Sequence, residues 1–235
     1  MREINPTGLD AYKPSEIAFL VEQSGEAKAR LSLVPLLTLA VLAGVFIALG
    51  GAAYTIPMTG MDVSFGPARV LGGIVFSMGL ILVVVGGAEL FTGNALMVMA
   101  AVDRKITVSD LGRNWMIVYL GNFLGALIVA VAIYFAGSLK GQMGETAAGI
   151  AQAKLGTSWS EAVFRGVLCN VLVCLAVWLA LAARTVTGKI LAIIWPITAF
   201  VALGLEHSVA NMYLLPQGIL AGADASLSGV IGNLL

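Results

Sequence analysis

Five apolar stretches, at about 33–56, 70–100, 112–136, 162–183 and 189–217, constrain this chain more than any other feature. Each can cross a hydrocarbon core, which takes about 20 residues of helix. No water is available at that depth to bond backbone N–H and C=O groups, and stretches of this length satisfy them internally as helices. Of the 235 residues 59% are hydrophobic and only 11% charged, too little polar material to coat a soluble domain. The fold class is an all-α membrane protein. With a formal net charge of zero, nothing points to nucleic acid. The two cysteines, Cys169 and Cys174, lie five apart in one apolar run and project from different faces of a helix. No disulfide, metal site or cofactor is expected, and no His-Glu-x-x-His pair occurs.

The second and fifth stretches are too long for one simple crossing and carry polar residues near their middles. Such interruptions at membrane depth indicate broken helices lining a cavity. Arg2, Lys13, Lys28, Arg30, Arg104, Lys105, Arg113, Arg184 and Lys189 fall on one side, against Arg69, Lys140, Lys154 and Arg165 on the other. By the positive-inside rule the N-terminus is cytoplasmic and the protein multi-pass. The first thirty residues are polar and mixed in charge, unlike a cleavable signal. Residues 1–32 form an N-terminal segment ahead of a transmembrane domain, 33–235. Within that segment Pro14 and Ser15 suit a helix start, and Ile17, Phe19, Leu20 and Val21 give it an apolar side. Either a gate or a passive interfacial anchor fits that pattern.

An internal repeat marks the centre. Gly87-Ala88-Glu89-Leu90-Phe91-Thr92-Gly93-Asn94 and Gly204-Leu205-Glu206-His207-Ser208-Val209-Ala210-Asn211 share Gly, Glu and Asn at the same spacing, one set in each interrupted span. Spans two and five are three apart, so the copies cross in opposite directions, as in an inverted repeat of three plus three helices. The piece from Ala225 to Leu235 is too short to span, which leaves that arrangement one helix short in this sequence.

Glu89 and Glu206 are the only acidic residues deep inside a span, and a charge there costs roughly 2.5–3.5 kcal/mol on insertion scales. With Asn94 and Asn211 they are expected to tie down the helix breaks. His207 is the only histidine. As neighbours on a helix, Glu206 and His207 would point about 100° apart and take different jobs. An imidazole titrates near physiological pH, which suits a residue that attracts, hydrogen-bonds or protonates a weak-acid anion.

These residues resemble the formate/nitrite transporter family. The segment Leu205 to Met212 is similar to its fifth-span motif around a central histidine, and Gly87 to Thr92 to the break of its second span. Gly72 to Leu80 and Asn170 to Trp178 are similar to flanking segments. The resemblance implies an aquaporin-like fold, a homopentamer in a bacterial inner membrane, and one pore per protomer. It implies His207 at the pore centre with Thr92 opposite. Leu80 and Leu90 would form a cytoplasmic constriction; Phe76, Phe200 and Val173 a periplasmic one; Lys154, in a loop, and Asn170 the outer vestibule. The implied function is a channel for small monovalent anions, formate first, crossing as the anion or its protonated acid. Nitrite and hydrosulfide remain open as alternatives.

Two other classes fit less well. A neutral-solute aquaporin would carry Asn-Pro-Ala at both breaks, where this chain has Asn94-Ala95-Leu96 and Asn211-Met212-Tyr213. An intramembrane hydrolase needs a nucleophile within reach of its base, and Ser208 directly follows His207. Three further features read as structural: Gly121 and Gly125 as close helix packing, Trp115, Trp159 and Trp195 as interfacial anchors, and Asp103, Arg104, Lys105 and Asp110 as a solvated loop.

Overall fold

The computed structural model describes residues 11–62 and 65–234. Arg2, Glu3, Asp10 and Leu235 lie outside the described residues. Helix α1 runs Pro14–Ala29, begun by a proline whose missing N–H is no loss in the first turn and by Glu16 accepting the Lys13 N–H at 2.8 Å. Next come α2 (Leu33–Met58) and α3 (Gly66–Gly86). A 3-10 turn (Gly93–Met97) then leads into α4 (Val98–Val102). Helix α5 (Val108–Phe135) opens with a reciprocal cap between Thr107 and Asp110. The chain continues through α6 (Gln142–Leu155), α7 (Trp159–Ala182), α8 (Val186–Ala202), α9 (Ser208–Leu220) and α10 (Leu227–Leu234). Helices α2, α3, α5 and α7 are long and apolar enough to cross a membrane.

Both expected breaks are present, and the repeated glycine makes each. Helix α3 stops at Gly87, φ +76°, and α8 ends just before Gly204, φ +68°. That left-handed conformation is costly for residues with a Cβ, so glycine at these two points ends the helix at mid-span.

Helix α2 packs between α3 and α5, α3 against α8, α7 against α8, and α5 against α9. The α2–α5 crossing is close enough to require glycine. A Cβ on Gly44 would lie 2.1 Å from the Asn122 carbonyl oxygen, and one on Gly125 the same distance from that of Val41. The tight packing expected at Gly121 and Gly125 is therefore present. Helix α7 is covered least of the four long helices, and Phe164, Val167, Val171 and Leu175 face outward.

Two elements depart from the sequence reading. Helix α6 was not expected: its 14 residues are too few to span, and its alternation of Ala, Gly and polar residues hides the apolar side. That side, Ala147, Ile150 and Ala151, is buried, and α6 packs on α9. Lys154 consequently lies in the last helical turn of α6, not in a loop. The charged stretch after α4 is also more than a solvated loop. Lys105 forms ion pairs with Glu22 and Asp103 and lies 5.8 Å from the Phe19 ring, docking α1.

Candidate functional site

Each helix break is wired by the same set of four side chains, one lysine, one glutamate and two asparagines. At the first, the Lys28 ammonium, in the last turn of α1, donates to Glu89 at 2.6 Å. Asn94 donates to Glu89 at 2.8 Å and to Asn114 at 2.9 Å, and Asn114 returns to the Lys28 carbonyl at 3.4 Å. At the second, Lys154 donates to Glu206 at 2.9 Å. Asn211 donates to Glu206 at 2.6 Å and to Asn233 at 2.7 Å, and Asn233 returns to the Lys154 carbonyl at 3.2 Å. Each ring closes on a carbonyl in the last turn of a helix, which also accepts a backbone N–H, from Leu31 at 3.3 Å and from Thr157 at 3.2 Å. Burying the carboxylates is tolerable because each has a cation and an amide donor. The backbone freed at the first break is held by Asn122, whose amide accepts from the Phe91 N–H at 2.9 Å and donates to the Ala40 and Glu89 carbonyls.

His207 and Thr92 bring the two breaks together, with His207 Nε2 3.2 Å from Thr92 Oγ1. His207 is not on a helix beside Glu206. It is the extended cap residue of α9, φ −116° and ψ 109°, and its Nδ1 accepts the Ala210 N–H at 2.9 Å. An acceptor nitrogen carries no proton, so the neutral ring bears its hydrogen on Nε2 and donates it to the Thr92 hydroxyl. Glu206 is committed to Lys154 and Asn211. The two neighbours thus bond to different partners, and the backbone between them is extended instead of a helical turn.

Two cavities lie beside the breaks, and the first reaches His207. One, of about 460 Å³, is lined by Tyr54, Phe76, Lys154, Phe200, Glu206 and His207 among others. The other, of about 360 Å³, is lined by Lys28, Leu80, Glu89, Leu90 and Asn94 among others. The expected residues thus separate into two groups, Phe76, Phe200 and Lys154 on one side and Leu80 and Leu90 on the other. Aromatic rings form a ladder into the first cavity. Tyr54 meets Phe76 edge-on at 6.4 Å, Phe76 meets Phe200 at 5.6 Å, and Phe200 stacks on the His207 ring at 5.6 Å.

Val173 and Asn170 fall elsewhere. Val173 is buried in the same apolar cluster as Phe76, Leu80, Leu90 and Phe200 but lines neither cavity. Asn170 faces a third, more apolar cavity of about 670 Å³ beside α7, together with Thr92, Cys174 and His207. Tyr54, Lys28, Asn114 and Asn233 were not anticipated as site residues. Trp115, expected as an anchor, instead donates to the Asn94 carbonyl at 3.0 Å and meets Phe91 edge-on. Among the described residues no group of three or more His, Cys, Asp or Glu is placed to hold a metal ion.

Among the described residues, four apolar helices long enough to cross a membrane, with two helix breaks that meet at the buried Thr92–His207 contact, define a multi-pass membrane protein. The formate/nitrite transporter family model matches residues 15–235, and the chain belongs to that family, whose members are channels and transporters and not enzymes. It is 45% identical over 182 residues to the formate channel FocA of Haemophilus influenzae, a match covering 76% of this chain and 64% of that protein. Among solved structures it is similar to an FNT family ion channel, with TM-score 0.87 and 29% identity, covering 94% of this chain and 90% of that one. It is also similar to a pentameric formate channel with formate bound, with TM-score 0.74, 32% identity and the same coverage.

Proposed function

We propose that this chain forms the pore of a channel for small monovalent anions, formate foremost, with the passage running between the two cavities past His207 and Thr92. The observation that carries the reading is the bond between those residues, where two identically wired breaks meet between Phe76 and Phe200 on one side and Leu80 and Leu90 on the other. The formate bound in a solved relative supplies the substrate.

The chemistry follows from the lining. Hydrated ions cannot shed water cheaply in an apolar neck. A weak-acid anion avoids much of that cost by becoming neutral acid there. His207 and Thr92 supply hydrogen bonds that replace lost water. A proton leaving Nε2 must be balanced by one gained at Nδ1, the atom that caps Ala210. Proton transfer by His207 therefore requires that cap to open.

The matched rings Lys28–Glu89–Asn94–Asn114 and Lys154–Glu206–Asn211–Asn233 support an aquaporin-like inverted repeat. In that arrangement α10 corresponds to the start of α5, with Asn233 in the place of Asn114. Such a protein would sit as a homopentamer, one pore per protomer, in a bacterial inner membrane with lipid around it. The N-terminus would be cytoplasmic. The linkage of Tyr12 to Ala182 and of Glu22 to Lys105 supports that side, because it gathers the segments richest in basic residues at one end. Stopped-flow formate uptake into proteoliposomes tests the reading. Flux well above protein-free vesicles is expected; product formation without flux would overturn it.

A further inference from the structure

The two breaks are wired alike, but the two mouths are not. At each, a lysine lines the cavity and is already paired with a glutamate, Lys154 with Glu206 at 2.9 Å and Lys28 with Glu89 at 2.6 Å. These pairs are formally neutral and leave little net field to attract an anion. Among the described residues, the lining of the cavity on the Lys28 side has no further charge. The cavity on the Lys154 side has two, Arg69 and Arg165. Neither arginine has an ion-pair partner among the described residues.

Arg69 is also held in place. It stands in the first turn of α3, half-buried, and its guanidinium rests over the backbone of the second break. A Cβ on Gly204 would lie 2.3 Å from Arg69 Nη2. Gly204 therefore has two reasons to be glycine, its left-handed backbone and the guanidinium seated on it. Arg165, in the second turn of α7, reaches the same cavity.

We infer that Arg69 and Arg165, not the paired Lys154, form an anion-capture site at the Lys154-side mouth, one that takes small carboxylates or similar planar monovalent anions. Guanidinium stays charged at any physiological pH and presents a planar fork that matches a carboxylate, whereas the lysine's charge is already offset. A cleft lined by one sign of charge raises the local concentration of its counter-ion, by about tenfold or more in favourable geometries. The site thus loads the passage before the aromatic ladder begins. This inference rests on the anion-pore reading.

The experiment is formate flux in proteoliposomes at low substrate concentration, for the parent and for Arg69→Gln/Arg165→Gln. Ionic strength is varied from about 0.01 M to about 1 M, over which the Debye length falls from about 30 Å to about 3 Å. The expected result is flux about tenfold below the parent at low salt, a flatter salt dependence, and convergence of the two curves at high salt. Arg69→Lys/Arg165→Lys, which keeps the charge, is expected to retain most of the parent's salt dependence. Parallel curves for parent and glutamine variant would overturn the inference, even at reduced flux. Equal losses in the glutamine and lysine variants at every salt concentration would also overturn it, indicating a structural role. A parent with no flux would sink the pore reading and this site with it.

Discussion

Replacing Glu206 by Gln tests whether the rings at the breaks hold the fold together. The Lys154 and Glu206 side chains are only 15% and 9% exposed and lie 2.9 Å apart. At that separation two unit charges attract by about 6 kcal/mol at an effective dielectric of 20, most of it offset by the cost of taking both out of water. The substitution removes the attraction and leaves a mostly buried Lys154 charge without its carboxylate. Breaking a buried pair from one side costs about 3–5 kcal/mol, and for a chain of this size each kcal/mol lowers Tm by about 2–4 °C. The apparent Tm in detergent, read by the loss of the assembled peak in fluorescence-detected chromatography, is expected to fall by about 6–20 °C. Adding Lys154→Met removes the stranded charge and should restore most of the loss, to within about 1 kcal/mol of the parent. The mirror change Glu89→Gln should cost less, because Lys28 is 25% exposed and can reach water. Additive losses in the Glu206→Gln/Lys154→Met double variant would refute the reasoning, as would no loss in the single one.

Three further outcomes follow. His207→Asn keeps a capping oxygen for the Ala210 N–H but has no titratable nitrogen, so the pH dependence of formate flux should flatten while assembly is preserved; identical flux-against-pH curves would remove the histidine from proton handling. Gly73→Ala puts a Cβ 2.7 Å from the Thr198 Cα and 2.9 Å from its carbonyl, backbone that no rotamer change can move. It should cost about 1–3 kcal/mol by thermal unfolding, while Gly112→Ala, with open space around it, should cost nothing. Lys105 is held above the ordinary lysine value first by its hydrogen bond to Glu22 and then by Asp103. A raised folded value means the stabilisation is complete below about 10.5 and is lost only as pH climbs through the higher folded value. The dock of α1 should therefore be constant from pH 6 to 9 by hydrogen exchange, whereas Lys105→Met should loosen it throughout.

Much of the frame was legible in sequence. The five apolar stretches located the long helices, and the glycine shared by the two motifs marked the points where α3 and α8 stop. Glu89, Asn94, Glu206 and Asn211 were readable because they recur at one offset within apolar surroundings. The remaining ring members were not. Lys28 and Lys154 are 126 residues apart and Asn114 and Asn233 are 119 apart, while the glutamates are 117 apart, so the loops between them put these partners out of register. Helix α6 hid for another reason: a short helix of Ala, Gly and polar residues has no strong period. The Tyr54–Phe76–Phe200–His207 ladder draws on four separate segments, and no local pattern joins them. Trp115 shows the opposite failure. Its place near a span end suggested an interfacial anchor, but its indole N–H was needed by the Asn94 carbonyl.

Passage of formate past Thr92 is tested most directly by a reversible plug at that residue. Thr92→Cys, made with Cys169 and Cys174 replaced by alanine, can be capped by a small neutral thiosulfonate and uncapped by reductant, with labelling followed by mass. Formate flux should fall at least tenfold on labelling and recover on reduction, while the cysteine-free parent is unaffected. Complete labelling at position 92 with undiminished flux would contradict the claim.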